Sequence, residues 1–245
     1  MRYHIPLPLL PVQSNVVFDQ ATTSGYQAAV SSYSFSHIVG AGLANRCLVV
    51  GVSILATGTV TGITYAGVAM TFERAEAEGV YRAEIWRLVA PATSSNTVEV
   101  TLSGASTMVV NVASYSGVDQ SSPVDVTDGA HGISGGGVEF VTGAPFTTIN
   151  QTRSVGMLAT SDTSVTIAYS STTASSQRAT ANGALGLGEL ADKGLIRLGL
   201  SSGMGWDGFA VGATFAIVTM ALKPVQSAAT FLRDVIRSGG VSRRP

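Results

Sequence analysis

The sequence predicts an all-β fold, an antiparallel sandwich or barrel, on three observations. Short runs rich in Val, Ile, Thr and aromatic residues recur at near-regular spacing, separated by Gly, Ser, Asn and Asp. Helical periodicity is almost absent between residues 15 and 224. Of the 245 residues, 45% are hydrophobic, 12% are charged and 28 are glycine, enough apolar material for one large β domain.

Residues 1–14 read as an extended N-terminal arm. Pro6, Pro8 and Pro11 each remove a backbone donor and fix φ, so no helix runs through them. Closely spaced prolines favour extended or polyproline backbone. Ile5, Leu7, Leu9 and Leu10 are costly to leave in water, so the arm is expected to dock on a neighbouring subunit or on its own domain. The same prolines interrupt the apolar segment that a secretion signal needs.

Residues 15–224 read as the β-sandwich domain. Ser31–Ile38 alternates serine with aromatic residues, and Leu48–Leu55 is dense in β-branched and apolar residues, as a buried strand requires. Thr59–Thr71 carries a turn-like interruption at Tyr65-Ala-Gly-Val68. Val80–Ala90 follows, with Trp86 mid-strand in the core. Val98, Val100 and Leu102 alternate with Glu99 and Thr101, a half-buried pattern. Met108–Tyr115 comes after Gly104-Ala-Ser. Later strands are expected at Val138–Val141, Phe146–Asn150, Val155–Ala159, Val165–Tyr169, Leu195–Leu200 and Phe209–Leu222. Glu73–Glu78 is a short helix or a charged loop. Residues 171–194 are a long Ser-, Thr-, Ala- and Gly-rich connection holding one short strand.

Residues 225–245 break the pattern. Phe231, Leu232, Val235 and Ile236 recur at helical spacing before Gly239-Gly240, which predicts a short amphipathic helix and then a basic tail. Such a helix is marginal alone, so its apolar stripe is expected to rest on the sandwich or on another subunit.

The chemistry-bearing residues form no decisive motif. Glu73, Glu76, Glu78 and Glu84 offer the carboxylates that glycoside hydrolysis uses, but spacing cannot place them across a cleft. Asp119, Asp125 and Asp128 lie in an oxygen-rich stretch that matches no EF-hand and suits turns. His4, His37 and His131 show no metal-ligand spacing. Gly132-Ile-Ser-Gly-Gly136 and Gly199-Leu-Ser-Ser-Gly203 match the nucleophile-elbow string, yet no helical pattern follows either. Catalytic, cofactor and metal sites are therefore not expected. Cys47, alone in the chain and inside an apolar run, reads as a buried thiol. Trp206, in the glycine-rich Gly203-Met-Gly-Trp-Asp-Gly208, is the best sugar-stacking candidate. Net charge is −1 with scattered Lys and Arg, which argues against a nucleic-acid surface. No apolar stretch reaches the length of a membrane-spanning helix.

Several stretches together resemble a jelly-roll-like β-sandwich domain that recurs in bacteriophage structural proteins and in bacterial surface or secreted proteins. They are Tyr33–Gly40, Cys47–Ser53, Val60–Met70, Glu84–Pro91, Val98–Ser103 and Ala113–Val124, covering about residues 31–125, with a weaker match to Leu222. The resemblance implies a non-enzymatic virion component, a capsid decoration (cement) protein ahead of a tail or fibre component, assembled in the host cytoplasm without a signal peptide. Its implied partners are other virion proteins and further copies of itself, a trimer by fold analogy. The arm and the C-terminal helix are the expected contact surfaces. The alternative is an adhesin module that binds host-surface carbohydrate, and a glycan-degrading tail enzyme stands behind both.

Overall fold

The computed structural model describes residues 15–55, 58–140, 152–168, 175–183, 186–196 and 204–226. The N-terminal arm with Ile5, Leu7, Leu9 and Leu10, and the C-terminal helix with Phe231, Leu232, Val235 and Ile236, lie outside the described residues, as does Phe146–Asn150. Every described element is a strand.

The frame is a long antiparallel ribbon of β1 (Val17–Val39) and β7 (Ser94–Ser116), each 23 residues. The ribbon does not run straight. Asp19 Oδ2 accepts a hydrogen bond from Gly40 N at 2.8 Å, although 21 residues separate them. A straight strand would hold such residues ~70 Å apart. Register shifts between Phe18 and Ser32, with positive φ at Gly25 and Ala29, turn β1 back on itself. The residues 98–102 and 108–115, which look like two strands in the sequence, are the two arms of bent β7.

The folded ribbon divides its sheet into a floor and a roof. In the floor, the second half of β7 pairs with β2 (Cys47–Leu55), which pairs with β6 (Tyr81–Val89) and then β5 (Thr71–Glu78). In the roof, the first half of β7 pairs with β3 (Val60–Tyr65), and β3 with the two-residue β4 (Val68–Ala69). Leu48, Val50, Val52, Ile54, Ile63, Tyr65, Val98, Val100, Val110 and Val112 fill the space between floor and roof.

The other face of the floor packs on a five-stranded sheet. Its strand order is β12 (Ser175–Gly183), β13 (Gly186–Ile196), β10 (Thr152–Thr160), β15 (Thr214–Leu222) and β8 (Val124–Ile133). Cys47, Val49, Ile85, Ala113, Tyr115, Val155, Met157, Leu190, Val218 and Met220 make the core between them. A small sheet of β11 (Thr166–Ala168), β14 (Gly205–Phe209) and β9 (Gly137–Phe140) covers the far side, over Leu158, Ala191, Met204, Trp206, Phe215 and Ile217.

β2 and β15 each bury residues on both faces, which explains why they read as continuous apolar runs rather than alternating ones. Stacked sheets also demand small residues where they approach. A Cβ on Gly188 would lie 2.9 Å from Val109 Cβ and 2.9 Å from Ser53 Cβ.

The all-β sandwich is as the sequence predicts, with four local corrections. Glu73–Glu78 is part of strand β5, because Phe72 and Arg74–Glu78 pair along β6. Most of the supposed connection 171–194 is the two strands β12 and β13, held by pairing on β10. Phe209–Leu222 is two strands separated by a turn at Val211-Gly212. Trp206 is not in a loop but in β14, with 0% of its surface exposed.

Gly117 tests the junction of the first strand with the floor. Its φ is +74°, and an added Cβ would sit 2.2 Å from the carbonyl oxygen of Asn15. Gly117→Ala is expected to cost about 2–3 kcal/mol, against about 1 kcal/mol for Gly67→Ala. Gly67 has a similar φ of +77° and open space around it, so only the strain remains. Thermal unfolding of the two variants checks the difference.

Candidate functional site

Three carboxylates are carried into the layers, and each meets donors from other parts of the chain. Asp192 of β13 is 0% exposed. Arg178 of β12 grips it with both arms of its guanidinium, Nε to Oδ2 at 2.7 Å and Nη2 to Oδ1 at 2.8 Å. Arg153 of β10 donates to Oδ1 at 3.0 Å, and the Tyr115 hydroxyl of β7 donates to Oδ2 at 3.1 Å. Arg178 also lies 3.9 Å over the Phe18 ring, and Arg153 Nε donates to the Val16 carbonyl at 3.1 Å. One carboxylate thus ties both sheets to the start of β1. Burial first, and the Asp192 charge second, push the Tyr115 hydroxyl well above the ordinary tyrosine range, so it stays a donor.

Glu189, also 0% exposed, lies on the opposite face of β13. Its Oε1 accepts from Trp206 Nε1 at 2.9 Å and its Oε2 from Gln177 Nε2 at 2.8 Å. Burial raises the carboxyl's pKa above its ordinary value, opposed by these two bonds. The ring nominated for sugar stacking therefore has no open face. It packs against Gly156, where a Cβ would sit 3.0 Å from the ring carbon Cη2.

Glu84 of β6, 1% exposed, bridges floor and roof. Arg82 Nε donates to Oε1 at 2.6 Å, the roof amide of Val60 reaches the same oxygen at 3.3 Å, and Trp86 Nε1 donates to Oε2 at 3.0 Å. On the other side of the roof, His37 Nδ1 and Thr22 Oγ1 lie 2.9 Å apart. His37 is 1% exposed, and its Nε2 is buried with no hydrogen-bond partner among the described residues. Desolvation lowers its pKa to about 4, against a smaller upward pull from Asp19.

The remaining candidates are placed differently from a catalytic arrangement. Glu73 pairs with Arg87, and Glu76 with Arg74 and His131 where the β5 and β8 edges meet. Asp119 Oδ1 caps a turn, accepting from Ser121 N at 2.8 Å, Ser121 Oγ at 2.7 Å and Ser122 N at 3.0 Å. Among the described residues no group of three or more His, Cys, Asp or Glu is arranged to hold a metal ion. Ser134 is buried, and its Oγ accepts from Gly136 N at 2.9 Å; no helix follows it. Cys47 is buried, and its thiol is pushed up to about 12 by that burial.

A notch opens where the floor and the five-stranded sheet diverge. Tyr26, Tyr81, Ser53, Thr107, Thr160 and Met108 are among its lining residues, and its volume is about 20 Å³, room for about one water molecule. Compared with protein-family models, curated proteins and solved structures, the chain matches none of them.

Sequence reasoning missed the Asp192 and Glu189 centres because Glu189, Asp192 and Lys193 suggest a solvated connection.

Asp192→Asn leaves two guanidinium groups facing a neutral partner, and is expected to cost about 3 kcal/mol. Denaturant midpoints at unchanged slope check it. His37 makes a pH prediction. A histidine depressed from about 6.5 to about 4 binds its proton more readily when unfolded, so its contribution is lost as pH falls from 6.5 towards 4. Unfolding free energies of the native chain and His37→Gln should converge over that window by up to about 3 kcal/mol, and run parallel above pH 7.

Proposed function

We propose that this chain is a non-enzymatic structural protein of a bacteriophage particle, a capsid decoration protein that works through subunit contacts. The observation that carries this reading is the direction of its buried carboxylates. Glu84, Glu189 and Asp192 point between layers and are bound there by Arg, Trp, Gln and Tyr donors. Their role is to lock sheets together, and a shell component needs rigidity rather than turnover. The resemblance of residues 31–125 to phage sandwich domains supports the same reading, and the particle would then be assembled in the host cytoplasm. The N-terminal arm, with Ile5, Leu7, Leu9 and Leu10, and the C-terminal apolar stripe of Phe231, Leu232, Val235 and Ile236 serve as contacts to neighbouring subunits.

A second reading, a tail or adhesin module that binds host carbohydrate, is favoured by one observation. Tyr26 and Tyr81 flank the notch with the hydroxyls of Ser53, Thr107 and Thr160, and among the described residues no charged side chain lines it. The notch holds about one water, so a neutral sugar would lie across its rim.

Immunogold microscopy with antibody against the recombinant chain tests the leading reading. Regular labelling of heads is the expected result. Labelling confined to tails favours the second reading, and particles without label overturn both. Removing residues 1–14 is expected to reduce incorporation at least tenfold while leaving the melting temperature within about 2 °C. Incorporation at normal occupancy would remove the arm from the mechanism.

A further inference from the structure

The ribbon leaves one strand edge in an unusual condition. The first half of β1 is covered, because Arg178 of β12 lies over Phe18 and Tyr26 packs on Gly183 of β12. The second half, Ser31–Val39, pairs with β7 on one side. Among the described residues no strand pairs with its other side. At the opposite edge of the roof, β4 is only two residues long. The β5 and β8 edges meet each other through Glu76 and His131.

Exposed edges are normally blunted by lysine, proline, inward charge or a bulge. Ser31-Ser-Tyr-Ser-Phe-Ser-His-Ile-Val39 has none of these. Its register with β7 is unbroken from Ser32 to Val39, all of its bulges lying earlier. His37, its one titratable side chain besides Tyr33, is buried. Ser32, Ser34 and Ser36 are exposed on the outer face, while Tyr33 and Phe35 are half-buried on the inner face, their ring centroids 6.1 Å apart.

We propose that this edge pairs antiparallel with the same segment of a second copy, about a two-fold axis through Ser34. The inference deepens the assembly reading above and rests on it. A face-preserving register centred on Ser34 sets Tyr33 opposite Phe35 of the second copy on the inner side. On the outer side it sets Ser32 opposite Ser36 and Ser34 opposite itself. Aromatic pairs and hydroxyl pairs directly across an antiparallel ladder stabilise it. No formal charge on the segment meets its like, which a self-complementary contact requires. The nearest repeated charge is Glu99, which pairs with Ser34 inside each copy. Two such carboxylates would stand ~14 Å apart, three strand spacings, beyond the screening length of about 8 Å at physiological salt. Two joined nine-residue strands cover less than the roughly 800 Å² per partner of a stable interface. The contact is therefore weak in solution and gains strength where other contacts hold copies together. A trimer of this chain would need a separate, heterologous surface.

Cysteine cross-linking of the full chain tests the contact and its register. Opposed residues of an antiparallel pair have Cα atoms about 4.5–5.5 Å apart, inside the range of about 4.4–6.8 Å that a disulfide spans. Ser34→Cys is expected to form a covalent dimer under mild oxidation at least tenfold faster than Ser32→Cys, whose two copies would lie ~14 Å apart. An equal mixture of Ser32→Cys and Ser36→Cys should recover the fast rate. Both positions are exposed, and buried Cys47 does not compete. Equal rates for Ser34→Cys and Ser32→Cys, or no dimer from Ser34→Cys at any concentration, overturn the inference. Light scattering of the native chain keeps the two failures apart. An oligomer that Ser34→Lys does not weaken places the contact elsewhere and leaves the assembly reading standing.

Discussion

The structure depends on one constraint: the ribbon of β1 and β7 folds back over its own sheet. A sheet covered on one face can send polar side chains outward from alternate positions. The floor of this protein cannot, because the roof lies on one face and the five-stranded sheet on the other. Residues of both parities along β2 must therefore be apolar or small, from Cys47 to Ile54.

The same constraint explains the polar interior. Folding the ribbon places residues far apart in sequence within hydrogen-bond reach, and the links sit at its margins. Asp19 meets Gly40 and also accepts from Ser114 Oγ at 2.8 Å, while Thr22 meets His37. Glu84 takes the Val60 amide on the opposite margin. His37, Ser114 and Glu84 are buried and Asp19, Thr22, Gly40 and Val60 half-buried, so leaving a buried one unmatched costs more than making the bond gains. They specify how the roof sits on the floor more strongly than apolar packing, which tolerates sliding. His37 is the exception: its Nε2 has no hydrogen-bond partner among the described residues, and burial lowers its pKa to about 4.

Between the two large sheets the ordering is similar but the charges are complete. Asp192 draws on two arginines and a tyrosine, and Arg178 adds the Phe18 ring. This closes the flank where β12 meets the first half of β1. Among the described residues no strand pairs with the second half of β1 on its other side, because β12 and β13 belong to the lower sheet.

The sequence by itself determined the fold class, the buried character of β2, the core position of Trp86 and the burial of Cys47. Each of these is set by local side-chain chemistry: β-branched and apolar runs exclude water whatever they pack against. Only the tertiary structure decided the fate of Trp206, Glu84, Glu189 and Asp192. A tryptophan among glycines looks exposed and a carboxylate looks solvated until a partner is known. Those partners, Gln177, Arg178, Tyr115 and the amide of Val60, lie between 12 and 77 residues away. β12 and β13 were illegible for the same reason, since a run of Ser, Ala, Gly, Glu and Lys has no intrinsic preference for a strand. The ladder with β10, and the donors waiting between the layers, made them strands.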